Sequence, residues 1–343
     1  YLILSYILFK NNLYPPFIAA GKNLSFWPLG PIFRRGGAFF IRRTFKGNKF
    51  YAEIFSLYVK TMVQWGHNIE FFIEGGRSRT GKMVLPKLGL MAILIQAVEE
   101  GFCDDLVFVP TSICYDRIPE EEAYVKEISG GAKVDENIKQ LVNARRFLKK
   151  RYGRVYVQFA EPVSLIKYLH RRRLDLTKMP SKVRHAMYRD FSYKIINSIN
   201  EASLLTPHGL VAASLLSSSR QGVSMAEFQA VCRMFYDYVA ARGIKMSNTL
   251  KNYDAVVEDA LRDFERSKLV VKLKDEDEDL EEDVFTFDES KRLTLEYYKN
   301  NVIHFLLPAV FVSTSILAQQ TSRVSLTRML EDIAFLKDFF KYE

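Results

Sequence analysis

The chain has 343 residues, 48% hydrophobic and 26% charged, a composition that excludes a disordered, collagen-like or low-complexity polypeptide. Its formal net charge of +9 is uneven: residues 1–52 hold eight Lys/Arg and no acid, and residues 1–100 hold 13 basic against 5 acidic residues, so +8 of the +9 falls there. Three cysteines without paired spacing (Cys103, Cys114, Cys232) and five scattered histidines exclude a disulfide framework and a metal-ligand motif, and suit a reducing compartment.

The first segment, "YLILSYILF", is short and has neither a basic leader nor a cleavage site, so it does not read as a secretory signal. Tyr1 is not Met and already lies in an apolar run, so the chain reads as part of a longer protein. "PFIAA" (16–20) and "GAFFI" (37–41) are short apolar runs bounded by Gly or Pro, suited to buried strands. A helix is predicted over 48–65, with Phe50, Ile54, Leu57, Tyr58, Thr61, Met62 and Trp65 on its inner face and Gly66 as the stop. "IEFFI" (69–73) reads as a strand, and residues 88–98 as a helix with Leu88, Met91, Leu94, Ile95 and Val98 inward. "LVFVPTSICY" (106–115) reads as a buried strand interrupted by Pro110, residues 135–151 as a helix, and "VYVQFAEPVSL" (155–165) as strand then turn. This alternation predicts an α/β fold with a mixed, largely buried sheet over residues 1–165.

Beyond residue 166 the pattern changes. Residues 166–200 read as a linker with surface helices, and 201–343 as a mainly helical region. Within it "DEDEDLEED" (275–283) is a solvated acidic loop between the strand candidates "KLVVKL" and "DVFTF". Helical patterns run from about 291 to 318 and from 325 to 341. The run "VIHFLLPAVFVSTSILA" (302–318) has 17 residues, at the lower limit for a bilayer span, and with His304, Pro308 and several hydroxyls it fits a buried helix better than a membrane-dipping one.

Two segments carry chemistry. In "FFIEGGRSRTGK" (71–82) a strand delivers Glu74 to a sheet edge, where α/β folds bind ligands. Gly75 and Gly76 permit a tight turn and close approach. Arg77, Ser78, Arg79 and Lys82 then offer donors, arginine being able to fork onto two phosphate oxygens. "RRGGAFFIRRTFKGNK" (34–49) repeats the grammar, an apolar strand ending in Arg42 and Arg43 with Lys46 and Lys49 beyond. Two such strands are expected to converge on one anion. The spacing of a Walker A loop is absent. Glu74 pairs with an arginine or accepts from substrate hydroxyls in this reading.

"GAFFIRR", "FFIEGGRSRTGK" and "VFVPTSICY" resemble, in order and spacing, the second, third and fourth motif blocks of the glycerol-3-phosphate acyltransferase family, notably its bacterial membrane-associated branch. "IAAGKNLSFWPLGPIFRRGGAFFIRRTFKGNK" is similar throughout, and "EYYKNNVIHFLLPA" (296–309) resembles a segment of that family's C-terminal region. The resemblance implies substrate binding by Arg43, Glu74, Gly75, Arg77 and Ser78, with Pro110 shaping the acyl side; Arg42 and Lys82 join the substrate-binding candidates from the basic pattern itself. It implies acyl transfer from acyl-acyl-carrier protein or acyl-CoA to the sn-1 hydroxyl of glycerol 3-phosphate, with no metal, cofactor or covalent acyl-enzyme. The family's base is a His-x4-Asp block, expected just before Tyr1, so no catalytic residue is assigned within the chain. His170 with Asp175 and His185 with Asp190 have that spacing, but five residues on a continuous helix rotate about 140° and splay the pair.

Dihydroxyacetone-phosphate acylation is the near alternative. A non-catalytic basic module is the distant one: residues 256–289 suggest a winged-helix-like unit. Nucleic acid is not the expected partner, because the acidic run would repel its phosphates and the positive charge lies in the other half. A lipid product and a basic, aromatic-rich N-terminal half (Phe26, Trp27, Phe33, Phe39, Phe40) instead predict peripheral docking on an anionic membrane, at the cytoplasmic face of the inner membrane.

Overall fold

The computed structural model describes residues 2–42, 45, 47–76, 78, 80–117, 153–218, 222–273, 283–287, 289–321 and 323–340. The helix expected over 135–151 and the acidic run, apart from Asp283, lie outside them. The chain is mixed α/β with a helical C-terminal region. It divides into two compact units, one within Tyr1–Ser78, Met83–Cys114 and Gly130–Ser203, the other within Arg79–Lys82, Tyr115–Ser129 and Leu204–Glu343.

The first unit opens with α1 (Leu2–Lys10) and is built on a parallel sheet of β1 (Phe17–Gly21), β2 (Ala38–Ile41) and β3 (Ile69–Glu70), in the order β2-β1-β3. Alternation along the strands divides their side chains between two faces. Ile18, Ala20 and Ala38 meet Phe33 of α2 (Leu29–Arg35) on one; Ala19 and Phe39 meet α3 (Lys49–Gln64) and α4 (Leu88–Glu99) on the other. Parallel strands require crossovers: α2 lies on the one between the neighbours β1 and β2, and α3 on the one joining the two outer strands, β2 and β3. Its first turn is capped by Asn48, whose side-chain oxygen accepts from the Tyr51 N–H at 2.9 Å.

The packed face of α3 differs from the expected one. Phe55, Val59, Met62 and Val63 are buried, whereas Phe50 and Trp65 are 77% and 71% exposed and Ile54 and Leu57 also face outward; Tyr58 is partly exposed, its ring edge-on to Phe39. Met62 alone of the expected set is buried. The helix is apolar on two stripes, and periodicity does not say which meets the sheet. The stripe that packs does so against Ala19, Phe39, Ile93, Leu94 and Ala97.

Helix α4 is buried on two sides, its Met91 and Ile95 joining a second cluster with α5 (Leu165–Arg171) and α6 (Ser181–Glu201). Residues 166–200, read as linker and surface helices, thus include Leu169, Tyr188 and Phe191 in this core. The strand expected over 69–73 stops at Glu70, and the chain turns at Ile73–Glu74. The strand expected over 106–115 is two, β4 (Val107–Phe108) and β5 (Thr111–Tyr115), separated at Pro110. They pair respectively with β7 (Val163–Ser164) and β6 (Val155–Phe159), so small sheets replace the single one anticipated.

In the second unit every residue of α7 (Pro207–Leu215) is buried. It packs among α8 (Met225–Ala241), α9 (Tyr253–Arg266) and α10 (Glu289–Asn300). The strands β8 (Gly222–Ser224), β9 (Val271–Leu273) and β10 (Val284–Thr286) form an antiparallel sheet with β10 central. The single helix expected over 291–318 is α10 and α11 (Ile303–Gln319), bent by 91°. Only Phe305, Leu306 and Ser315 of α11 are buried, and α12 (Leu326–Phe339) buries none of its residues, so the buried helix expected at 302–318 holds for its first turn. Among the described residues no single helix is long and apolar enough to cross a membrane.

Candidate functional site

Because β2 and β3 are both parallel to β1, both run toward the same edge of one sheet. Two strand spacings, about 10 Å, separate them laterally, and β3 stops earlier, Glu70 lying level with Ile18 where Ile41 lies level with Gly21. Both basic segments therefore leave the same edge. Arg43 and Arg77, central to the sequence reading, lie outside the described residues, as do Lys46 and Arg79; their neighbours define the surroundings.

Arg42 follows β2 directly. Its guanidinium lies over the Tyr51 ring at 4.7 Å, and its backbone N–H donates to the Tyr51 hydroxyl at 3.4 Å. A cation–π contact of this kind holds the charge without neutralising it.

Glu74 sits at the turn after β3. Its Oε2 accepts from the Val84 N–H at 2.7 Å, while the Lys87 N–H donates to the Ile73 carbonyl at 2.8 Å. These bonds close residues 74–87 at their ends. The described partner of Glu74 is backbone; the arginines expected to pair with it lie outside the described residues. Burial pushes its carboxyl pKa up, the Val84 bond partly opposing this. Gly75 has φ +63, and a Cβ there would stand 2.7 Å from Lys87 Cγ, so this turn takes glycine. Within the loop the Ser78 Oγ is shielded from solvent and, among the described residues, has no hydrogen-bond partner. Lys82 is half-buried, its backbone N–H 3.4 Å from the Thr80 Oγ1. Pro110 is buried at the break between β4 and β5, its carbonyl accepting from Ala160 at 2.9 Å.

The sequence reading passed over Glu70, the last residue of β3. Its Oε2 is buried with no hydrogen-bond partner among the described residues, and burial pushes its pKa up. A lone acid between Ile69 and Phe71 gives no signal in the sequence.

The histidines are occupied elsewhere. His67 packs against Phe17 and Trp65, and His304 against Phe305. His170 is in the last turn of α5, whereas Asp175 caps a separate 3₁₀ turn by accepting from the Thr177 N–H at 3.1 Å. The His185 Nδ1 lies 2.8 Å from the Ser181 carbonyl. His208 is buried with its Nε2 3.4 Å from Asp263 Oδ2, which draws the Asp263 pKa below its ordinary value. Among the described residues no three His, Cys, Asp or Glu side chains cluster as a metal site. A cavity of about 460 Å³ opens between α3, α4 and α6, but its walls are ion pairs, Lys60 with Glu100 and Arg184 with Glu99, which already satisfy each other.

Residues 124–343 match the family model described as the glycerol-3-phosphate acyltransferase C-terminal region, and residues 1–114 match the acyltransferase model. The chain belongs to the glycerol-3-phosphate acyltransferase family. It is 35% identical over 349 residues, 99% of its length, to a glycerol-3-phosphate acyltransferase of Shewanella loihica, covering 42% of that protein. It is 35% identical over 354 residues, its whole length, to that of Pseudomonas paraeruginosa (41% of that protein), and 33% identical over 340 residues, 97% of its length, to that of Shewanella pealeana (41% of that protein). The chain thus spans about two-fifths of the length of the curated relatives it matches.

Proposed function

We propose that the protein transfers an acyl group from an acyl thioester, acyl-acyl-carrier protein or acyl-CoA, to the sn-1 hydroxyl of glycerol 3-phosphate. The observation that carries this reading is the shared sheet edge, from which two basic segments emerge in a chain of this family. In the reaction the acceptor oxygen attacks the thioester carbonyl. A C–O bond forms, the C–S bond breaks, and the thiol leaves with the hydroxyl proton. This chain contributes the acceptor grip: Arg77 and Arg43 on the phosphate, Lys82 and Arg42 adding positive field, and the Ser78 hydroxyl as a further donor. Glu74 keeps the loop closed through Val84, and Pro110 borders the acyl side. None of the five histidines is assigned as the base.

The test, made on the full-length protein, is transfer to three acceptors side by side. Saturable acylation of glycerol 3-phosphate, exceeding that of dihydroxyacetone phosphate and far exceeding that of glycerol, is expected. Equal rates with phosphate-free glycerol would contradict a phosphate grip, and a preference for dihydroxyacetone phosphate would shift the assignment to the alternative acceptor.

The same reading places the protein peripherally on an anionic membrane, at the cytoplasmic face of the inner membrane. The outward stripe of α3, Phe50, Ile54, Leu57 and Trp65, in a basic half of the chain, supports docking by apolar insertion and charge together.

A further inference from the structure

The segment "EYYKNNVIHFLLPA" stood out in the sequence without a role, and the second unit supplies one. Residues 79–82 belong to this unit. Asn300, the last residue of α10, donates from its side-chain Nδ2 to the Thr80 carbonyl at 2.8 Å. One turn earlier the Tyr297 backbone lies against Gly81, where a Cβ would stand 2.4 Å from the Tyr297 carbonyl oxygen. Gly81 has φ +81, so close approach and backbone conformation both demand glycine. Helix α10 is itself fixed, since Leu295 and Tyr298 are buried in the unit's core. Asn300 is also buried, so its amide has few alternative partners.

We propose that Asn300 is a positioning residue. It fastens Thr80, and the last turn of α10 seats Gly81, so that the tip carrying Lys82 is held in one conformation for the acceptor phosphate. This deepens the acceptor reading above and rests on it for its functional half. The structural half, a clamped tip, stands by itself.

The experiment pairs two readouts on the protein and its Asn300→Ala, Asn300→Gln and Gly81→Ala variants. Amide hydrogen exchange of the peptide spanning 80–84 reports local opening. Saturation with glycerol 3-phosphate reports function. Losing one neutral hydrogen bond corresponds to about a 2- to 10-fold change. In Asn300→Ala, exchange at the tip and KM for glycerol 3-phosphate are each expected to rise by about that factor, with kcat and the acyl-donor KM unchanged. Asn300→Gln, which keeps an amide donor, recovers part of both. Gly81→Ala displaces the tip from the loop's side and gives the same signature should Asn300→Ala fail to fold. Wild-type exchange at the tip in Asn300→Ala, or in Gly81→Ala where the former does not fold, would overturn the clamp. So would a fall in kcat with KM unmoved. Absence of glycerol 3-phosphate saturation in the wild type would instead overturn the acceptor reading, while exchange still decides the clamp.

Discussion

A carboxylate next to a phosphate repels it, and the Glu74 side chain turns onto the backbone of its own loop, with Val84 as donor. Glu74→Ala removes the acceptor and is expected to raise KM for glycerol 3-phosphate severalfold, because the loop loses the bond to Val84 that closes it. Glu74→Gln keeps an acceptor and stays closer to wild type. Equal damage from both, read by acceptor saturation, would favour a direct role for the negative charge. Because burial raises the Glu74 pKa above its ordinary value of 4.5, the native state holds this proton more tightly than the unfolded chain. That stabilisation is present below the ordinary value and lost as pH rises through the raised one. The melting temperature of Glu74→Gln relative to wild type therefore climbs as pH rises through that window, and a pH-independent difference would contradict the assignment. The sequence named Glu74 but not its partner. Val84 is ten residues on, in a stretch with no pattern, and only the closure of the loop brings it near. Glu70 was illegible for the same reason, since burial of a single carboxyl is a tertiary property.

Elements were legible where pattern and boundary agreed. β1, β2, α3, α4 and α12 lie close to their expected spans, because short apolar runs ended by Gly or Pro and long periodic runs leave little choice. The facing of α3 was not legible, its two apolar stripes being equivalent in sequence while only one meets Ala19 and Phe39. The bend between α10 and α11 also escaped, since the apolar pattern runs through it. Two variants separate the stripes. Ile95→Ala, in the fully buried part of α4, is expected to cost about 2–5 kcal/mol in denaturant unfolding. Leu57→Asp, on the outward stripe of α3, is expected to leave stability within about 0.5 kcal/mol while reducing sedimentation with anionic vesicles. A large stability loss from Leu57→Asp would mean that the stripe is packed, and undiminished vesicle binding would remove it from the docking surface.

At the scale of the molecule, the charge asymmetry and the shared sheet edge point the same way. Residues 1–100 hold +8 of the net charge, and both basic segments belong to them. Docking driven partly by this charge weakens as salt shortens the Debye length from about 10 Å at 0.1 M to about 3 Å at 1 M. Binding to vesicles containing anionic lipid is therefore expected to fall with salt, and salt-independent binding would leave apolar insertion as its sole cause. The family was legible from three ordered blocks, whereas the part played by the helical second unit was not. Asn300 and Thr80 lie 220 positions apart, beyond the reach of any local pattern.

The central claim is that the two cationic segments grip one phosphate. Acceptor saturation kinetics of Arg43→Ala and Arg77→Ala in the full-length protein test it most directly. The account predicts that KM for glycerol 3-phosphate rises by about 10- to 150-fold in each, the equivalent of one charge-assisted bond, with the acyl-donor KM unchanged. Wild-type saturation by glycerol 3-phosphate in either variant would contradict it.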